Sequence, residues 1–356
     1  MKLGLFAFLA LSGCELLADI PSPLVTDVDA RSTDDATGTI DDAMIDSDGC
    51  SGSFLRICTP PSDSDLELPA AIDTTTSPLC TVETDATAGE LCVIAARSIN
   101  LAAGVTLAVT GARPLVLVAP TTITLDGTMN VRNASGTGCT LTAAQQYSGG
   151  AGGSRGGKGG KGGDGGENNG GTAGPATPLS LLGGCPGGAT PNADPPGTGG
   201  GSVLFIASTI MVTGTVNAAG TGGGGGMISL AGGSGGGSGG VIILDAPAVT
   251  IAGTLLASGG GGGEGGRGAV LGGNQGGNAG QTPNPLTPTI AAAGGTGLPG
   301  GDGGAGGAIL SINGTDGGRS GTNAPMGGGG GGGAGIIKIT APTPTITGPV
   351  VPAAMP

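Results

Sequence analysis

From Ser98 onward the chain alternates apolar and polar residues in short runs, and these runs align with one another. The four clearest copies are "RPLVLVAPTTITLDGTMNV" from Arg113, "GSVLFIASTIMVTGTVNAAG" from Gly201, "GGVIILDAPAVTIAGTLLASG" from Gly239 and "AGIIKITAPTPTITGPVV" from Ala334. Each reads as an extended stretch, then Ala-Pro (Ala-Ser in one copy), then a second stretch ending at glycine, then a few more extended residues. Leu115, Leu117, Ile123, Leu125 and Met129 match Val203, Phe205, Ile210, Val212 and Val216, and again Ile242, Leu244, Val249, Ile251 and Leu255. The last copy keeps Ile337, Ile339, Ile346 and Val350, with Pro344 interrupting it. A looser unit with Ile99, Leu101, Val105, Leu107 and Val109 precedes them. Successive side chains of extended chain point to opposite faces, so this period of two predicts strands that share one apolar face.

One such unit, of about 20 residues, cannot bury that face alone, whereas stacked units can. The pattern therefore predicts an all-β fold, a parallel β-helix (β-solenoid) over residues 97–356. An antiparallel β-sandwich of hairpins would show the same alternation, but turns of Asn-Gly type are missing at the bends. Glycine-rich tracts leave the repeat after its last extended residues, at about 148–200, 220–240, 259–307 and 314–333, and read as insertions from one corner. The first holds "GGKGGKGGDGGE" from Gly156, two glycines followed by a third residue. That three-residue period predicts polyglycine-II-like segments lying side by side, each satisfying its neighbours' backbone groups. Unstructured loops are the competing reading, favoured by the entropy that ordering glycine costs. The first strand of each unit is apolar on both faces (Val241 and Ile243 beside Ile242 and Leu244), which requires an outer cover. Folded-back glycine tracts are the available one.

Composition sharpens this picture. Of 356 residues 84 are Gly and 25 Pro, in the range of low-complexity or special repetitive chains. Val, Ile and Leu are nonetheless plentiful, unlike a disordered chain. There is no His and no Trp, and past residue 8 the only rings are Phe54, Tyr147 and Phe205. The net charge of −13 excludes the basic stripe that nucleic acid or an anionic membrane surface would need. Lys158 to Gly163, "KGGKGG", is a small basic island that reads as solvated decoration.

The first residues, "MKLGLFAFLALSGCELL", place a basic residue, an apolar run too short to span a bilayer, and Leu11-Ser12-Gly13-Cys14 in order. This predicts a lipoprotein signal peptide over 1–13 and lipidation of Cys14, whose acyl chains would anchor the protein to a membrane at about 0.8 kcal/mol per buried CH₂. An ordinary secretion signal is the plainer alternative. Residues 14–49 are rich in Asp, Thr and Ser and read as a flexible acidic tether. Glu15 beside the Cys favours the outer membrane. Six cysteines remain: Cys50, Cys58, Cys80, Cys92, Cys139 and Cys185. In an exported chain an even number reads as disulfides, and six cysteines allow about fifteen connectivities, among which pairing of sequence neighbours is the simplest. The first four sit within 50–96, a small disulfide-bonded cap. Zinc would need His or C-x-x-C, so no metal is assigned to these cysteines.

Catalytic chemistry is read mostly by exclusion. Without His, the Ser-His-Asp and Cys-His arrangements cannot be built. Polysaccharide lyases and glycosidases do use β-helices, with paired acids or a Lys/Arg base and aromatic platforms. Here Asp126, Asp245 and Asp302 are scattered, and Asp245 is matched in the other copies by Val118, Ile206 and Thr340. "DSDG" at Asp46 to Gly49 lacks the further ligands of a calcium loop. "GGKGGD" at Gly159 to Asp164 resembles the start of the calcium-binding nonapeptide repeat, but Gly166 stands where that repeat needs a large aliphatic residue. Glycine loops of G-x-G-x-x-G type lack the helix and Gly-Lys-Ser/Thr that phosphate binding requires, so no cofactor is expected. Ice binding would need a regular threonine array, and Thr213, Thr250 and Thr345 are irregularly placed.

The lipobox, the acidic tether, "CSGSFLRIC", "LCVIAARSINLAAGVTLAVTGARPLVLVAP" and the strand–Ala-Pro–strand–glycine units together resemble glycine-rich lipoproteins of myxobacteria and related deltaproteobacteria. The resemblance spans nearly the whole mature chain and carries no activity with it. More loosely, the tracts resemble the glycine-helix bundles of some antifreeze proteins and phage adhesins, the latter recognising targets through loops at the bundle tip. Mycobacterial PE-PGRS proteins share composition alone. The expectation is a non-enzymatic envelope lipoprotein with a structural, adhesive or display role, touching polysaccharide or other copies of itself. A β-helix enzyme acting on polysaccharide is the first alternative.

Overall fold

The computed structural model describes residues 49–60, 62–132, 139–166, 168–227, 231–266, 276–297, 300–319 and 326–356. The predicted signal segment 1–13, Cys14, and the predicted tether up to Asp48 lie outside the described residues.

Among the described residues the chain is all-β, with fifteen strands and no helix. In order they are β1 (Ser62–Glu67), β2 (Ala71–Asp73), β3 (Thr81–Asp85), β4 (Gly89–Leu101), β5 (Thr106–Thr110), β6 (Leu115–Leu125), β7 (Thr128–Val131), β8 (Ser202–Val212), β9 (Thr215–Asn217), β10 (Val241–Asp245), β11 (Ala248–Ile251), β12 (Thr254–Leu256), β13 (Ile336–Thr340), β14 (Thr345–Ile346) and β15 (Val350–Val351). A nine-stranded sheet follows the order β1-β4-β6-β8-β10-β13, with β3, β11 and β14 alongside; a six-stranded sheet follows β15-β12-β9-β7-β5-β2. The pairings between repeat units are parallel, and β3 with β4 is the antiparallel exception among the named strands. The antiparallel sandwich is therefore not the architecture.

Parallel register places equivalent residues of successive units side by side. Cys92, Leu115, Val203, Ile242 and Ile337 form one row across the first sheet, and Ile94, Leu117, Phe205, Leu244 and Ile339 the next. Leu107, Met129, Val216, Leu255 and Val350 do the same in the second sheet. These rows face one another in a common core, and Phe205 is completely buried within it. A unit with one apolar face thus buries it twice over, against the opposite sheet and against its own copies, at about 25 cal/mol per Å² removed from water.

The two kinds of bend behave differently. At Ala-Pro, β6 continues as extended chain with a register shift between Ala119 and Thr122, whereas the later copies break there, between β10 and β11 and between β13 and β14. Hydroxyls satisfy the exposed carbonyls: Thr121 Oγ1 donates to Arg97 O at 2.6 Å and Ser208 Oγ to Pro120 O at 2.5 Å. At the glycine bends one carbonyl of the previous unit accepts two N–H groups. Leu125 O takes those of Thr213 and Gly214, Val212 O those of Ala252 and Gly253, and Ile251 O those of Thr347 and Gly348. The glycines stack so closely that a Cβ on Gly253 would overlap Gly214 O, and one on Gly348 would overlap Gly253 O.

The glycine tracts are hydrogen-bonded throughout the segment that leads into β10. From Gly233 to Gly240 every backbone N–H finds a carbonyl, and the partners rotate with a period of three. Gly233, Gly236 and Gly239 donate to Gly327, Gly330 and Gly333; Ser234, Gly237 and Gly240 donate to Gly224, Thr221 and Ala218; Gly235 and Ser238 donate to Gly188 and Cys185. Its carbonyls accept in turn from three further segments, through Gly150 and Gly153, Gly197 and Gly200, and Gly260 and Gly263. Six neighbours therefore surround one strand of backbone, and all of Ala231 to Gly240 is buried. At most positions glycine is required, since a Cβ on Gly235 would overlap Ala151 O; the side chains of Ser234 and Ser238 fit only where they bond to Asp194 O and Cys185 O.

Side chains from outside the repeats also lie on the outer face of the first strands, together with glycine segments such as that of Gly156, where a Cβ would meet the Ile336 side chain. Val116, Val118, Leu204, Ile206, Val241 and Ile243 pack with Ile57, Leu91 and Leu181, flanked by Phe54, Leu55 and Leu179. Gly52, at φ 100°, brings its loop onto Ile206 where a Cβ would collide. One flank of the first sheet carries the acidic strand β1, with Asp63, Asp65 and Glu67, a charged edge of the kind that resists pairing with other chains. On the opposite flank Met355 bonds to Ile337 and Ile339 of β13.

Gly253→Ala should cost about 3 kcal/mol or more, because the added methyl meets backbone that cannot yield. Gly89, which has positive φ but open space around it, should cost only about 1–2 kcal/mol when changed to Ala. Equilibrium urea unfolding of the two variants checks the difference; equal losses would contradict the stacking argument.

Candidate functional site

Three disulfides join Cys50–Cys58, Cys80–Cys92 and Cys139–Cys185. The first closes the "CSGSFLRIC" loop, in which Ser51 and Ile57 exchange backbone hydrogen bonds. The second ties the turn before β3 to β4, so the cysteine-bearing region shares its sheet with the repeats. The third ties the segment after β7 to Cys185, whose carbonyl accepts from Ser238 N in the glycine segment before β10.

Asp245, the last residue of β10, is buried and accepts three hydrogen bonds from the first disulfide loop. Ser53 N donates at 2.6 Å, Ser53 Oγ at 2.7 Å and Phe54 N at 2.9 Å. The carboxylate fastens a loop about 190 residues away in sequence onto the outer apolar face, as a bidentate acceptor does well. A shallow depression of about 450 Å³ beside it is lined by Pro247, Ile339, Thr340, Pro342 and Pro356, and Asp245 is its one titratable side chain. Asp126 accepts from Thr213 Oγ1 at the neighbouring glycine bend, and Asp302 is exposed in a glycine tract. These three acids occupy different places and do not converge.

Arg155 is a fully buried cation. It donates to Thr177 Oγ1, to Ser180 O and Oγ, and to Leu182 O, while its Nε has no hydrogen-bond partner. Desolvation lowers its pKa to about 10, so it stays protonated at neutral pH. Its contacts fix residues 177–182, and these carry Leu179 and Leu181 onto the outer core. The basic island is surface structure: Lys161 pairs with Asp164 at 2.7 Å, and Asn313 and Asp316 accept the backbone N–H groups of Lys158 and Lys161. Asp164 also accepts from Gly170 N, which with Lys161 holds its pKa down. On β1, Asp65 is held at about 2 by hydrogen bonds from Arg97 and Ser98. Among the described residues no three His, Cys, Asp or Glu side chains converge as a metal cluster.

Threonine forms columns that sequence spacing alone did not reveal. Thr106, Thr128, Thr215 and Thr254 stand in register on the second sheet. Thr250 pairs with Thr345, but Met211 interrupts that column, and Thr213 belongs to the glycine bend. The other feature missed is apolar. Leu286 (88%), Ile290 (64%) and Leu310 (97%) are exposed on two loops of the glycine tracts, with Ile309 and Ile312 half-exposed beside Leu310. Their signal was available as aliphatic residues outside any period-two run. No family model, curated protein or solved structure matches the chain.

Asp245→Ala should destabilise the protein by about 1–3 kcal/mol, since it removes the shared acceptor of two part-buried N–H donors and a hydroxyl. It should also speed reduction of Cys50–Cys58 by dithiothreitol relative to the other two disulfides. Mass mapping of alkylated cysteines over time checks this; unchanged reduction order would remove Asp245 from that role.

Proposed function

We propose that this chain is a non-enzymatic cell-envelope lipoprotein, lipidated at Cys14, whose acidic segment 14–49 links the membrane to a β-solenoid with a polyglycine-II lattice. Its role is structural or adhesive display. Outer membrane is the expected site, with envelope polysaccharide or further copies of the chain as partners.

The observation that carries this reading is repetition without a convergent polar site among the described residues. Asp245 fastens a loop, Asp65 and Asp164 pair with cations at the surface, and Asp302 stands apart from them. The buried cation Arg155 is spent on carbonyls and hydroxyls of its own covering segment. In-register rows and three-residue backbone periodicity support the solenoid and the lattice. Three disulfides suit an oxidising compartment.

An epitope added after Pro356, probed with antibody on intact and permeabilised cells, tests the reading, with Cys14→Ser as control. Labelling of intact cells, with loss of the protein from the membrane fraction in Cys14→Ser, is the expected result. Labelling only after permeabilisation would overturn surface display, and unchanged membrane association of Cys14→Ser would overturn the lipid anchor.

A further inference from the structure

Each repeat unit is covered on its far side by the next, as β10 lies between β8 and β13 in the first sheet. That order stops at β13, whose one partner among the named strands is β10. In a parallel pair, alternate residues of a strand turn their backbone groups toward the partner. Ile336 N donates to Gly240 O and Thr340 O accepts from Ala246 N, so Ile336, Lys338 and Thr340 turn theirs toward β10. Ile337 and Ile339 therefore aim their N–H and C=O groups the other way, along the far edge of the sheet. Such an edge is a template for a further strand.

The molecule closes this edge with its own chain. After β15 the backbone crosses from the second sheet to the first, and Met355 arrives beside Lys338 as a parallel bridge. Its N–H donates to Ile337 O at 2.8 Å, and its carbonyl accepts from Ile339 N at 3.0 Å. Lys338 Nζ donates to Pro356 O at 2.6 Å, and Ala354 packs on the main core. Met355 thus stands where the first strand of another unit would stand. The other two strands of this unit are guarded differently. By register, Pro344 and Pro349 replace Val249 and Thr254 of the unit before, and proline offers a neighbour no N–H. β13, Ile-Ile-Lys-Ile-Thr, has no proline and is rich in β-branched residues. Met355 covers the one strand of the unit that proline does not blunt.

We infer that residues 352–356 are a plug on the strand-acceptor edge of β13, and that a second copy of this chain pairs along the edge once the plug is removed. A second copy is the occupant because it brings the same uninterrupted edge, and two identical edges meet antiparallel about a two-fold axis. The opposite flank of the sheet, β1, carries Asp63, Asp65 and Glu67 and is charged against such pairing. The inference goes beyond the proposed role and depends on neither the lipid anchor nor surface display.

The experiment is sedimentation velocity over a concentration series, on the chain carrying Cys14→Ser and on the same chain lacking residues 352–356. The parent should stay one copy, with the Ile339 amide protected from hydrogen exchange. The shortened chain should shift from one copy to two as concentration rises, and its Ile339 amide should exchange faster than the parent's at the dilute end. Excess synthetic peptide of residues 350–356 should return it to one copy, which a misfolded chain would not do. A shortened chain that stays one copy at every concentration would overturn the inference. So would association that the peptide leaves unchanged, or equal association of the parent.

Discussion

The interaction on which this molecule depends is the backbone N–H to carbonyl bond between glycine segments. A segment made mostly of glycine presents three rows of N–H groups, one per residue of a three-residue repeat, and each row reaches a different neighbour. Gly233 to Gly240 shows the full pattern, with donors in three directions and acceptors in three others. Each bond contributes only about 0.5–1.5 kcal/mol net, while fixing a residue's backbone costs about 1–2 kcal/mol. The bonds alone do not hold such segments. They hold because the tracts leave from and return to strands whose register is already set: Ala218 follows β9, Gly240 precedes β10, Ala257 follows β12 and Gly335 precedes β13. Sheet pairing closes the loops, and the glycine bonds then satisfy the backbone inside them.

That division of labour explains the repeated sequence and its economy. The apolar rows build the core and fix the parallel register; glycine fills the volume beside it with satisfied backbone. Polar side chains are used as fasteners at the joints. Asp245 holds the first disulfide loop, Arg155 holds residues 177–182, and buried Glu264 accepts from both nitrogens of Asn278 across a gap between glycine segments.

Much of the architecture was legible because a period of two is unambiguous when it recurs with the same landmarks. The rows through Leu117, Phe205 and Leu244 follow directly from aligning the units, and the glycine bends from their common position. Less visible were interactions that join remote, non-repeating residues. Val118, Ile206 and Thr340 occupy the equivalent positions to Asp245, so nothing local shows that Ser53 and Phe54 lie against its carboxylate. Ile57 and Leu181 reach the outer face from short segments with no periodicity, so the sequence pattern does not point to them. The apolar loops at Leu286 and Leu310 were hidden for the same reason, since a lone leucine in a low-complexity tract has no pattern to belong to.

Hydrogen–deuterium exchange resolved to the glycine segments tests the central claim most directly. If the lattice holds, the amides of Gly233 to Gly240 and Gly259 to Gly265 exchange as slowly as those of β8 and β10, because opening any one segment breaks bonds to several neighbours. Exchange of these amides at the rate of an unstructured glycine peptide, with the strands still protected, would show that the sheets stand without the lattice and would contradict the account.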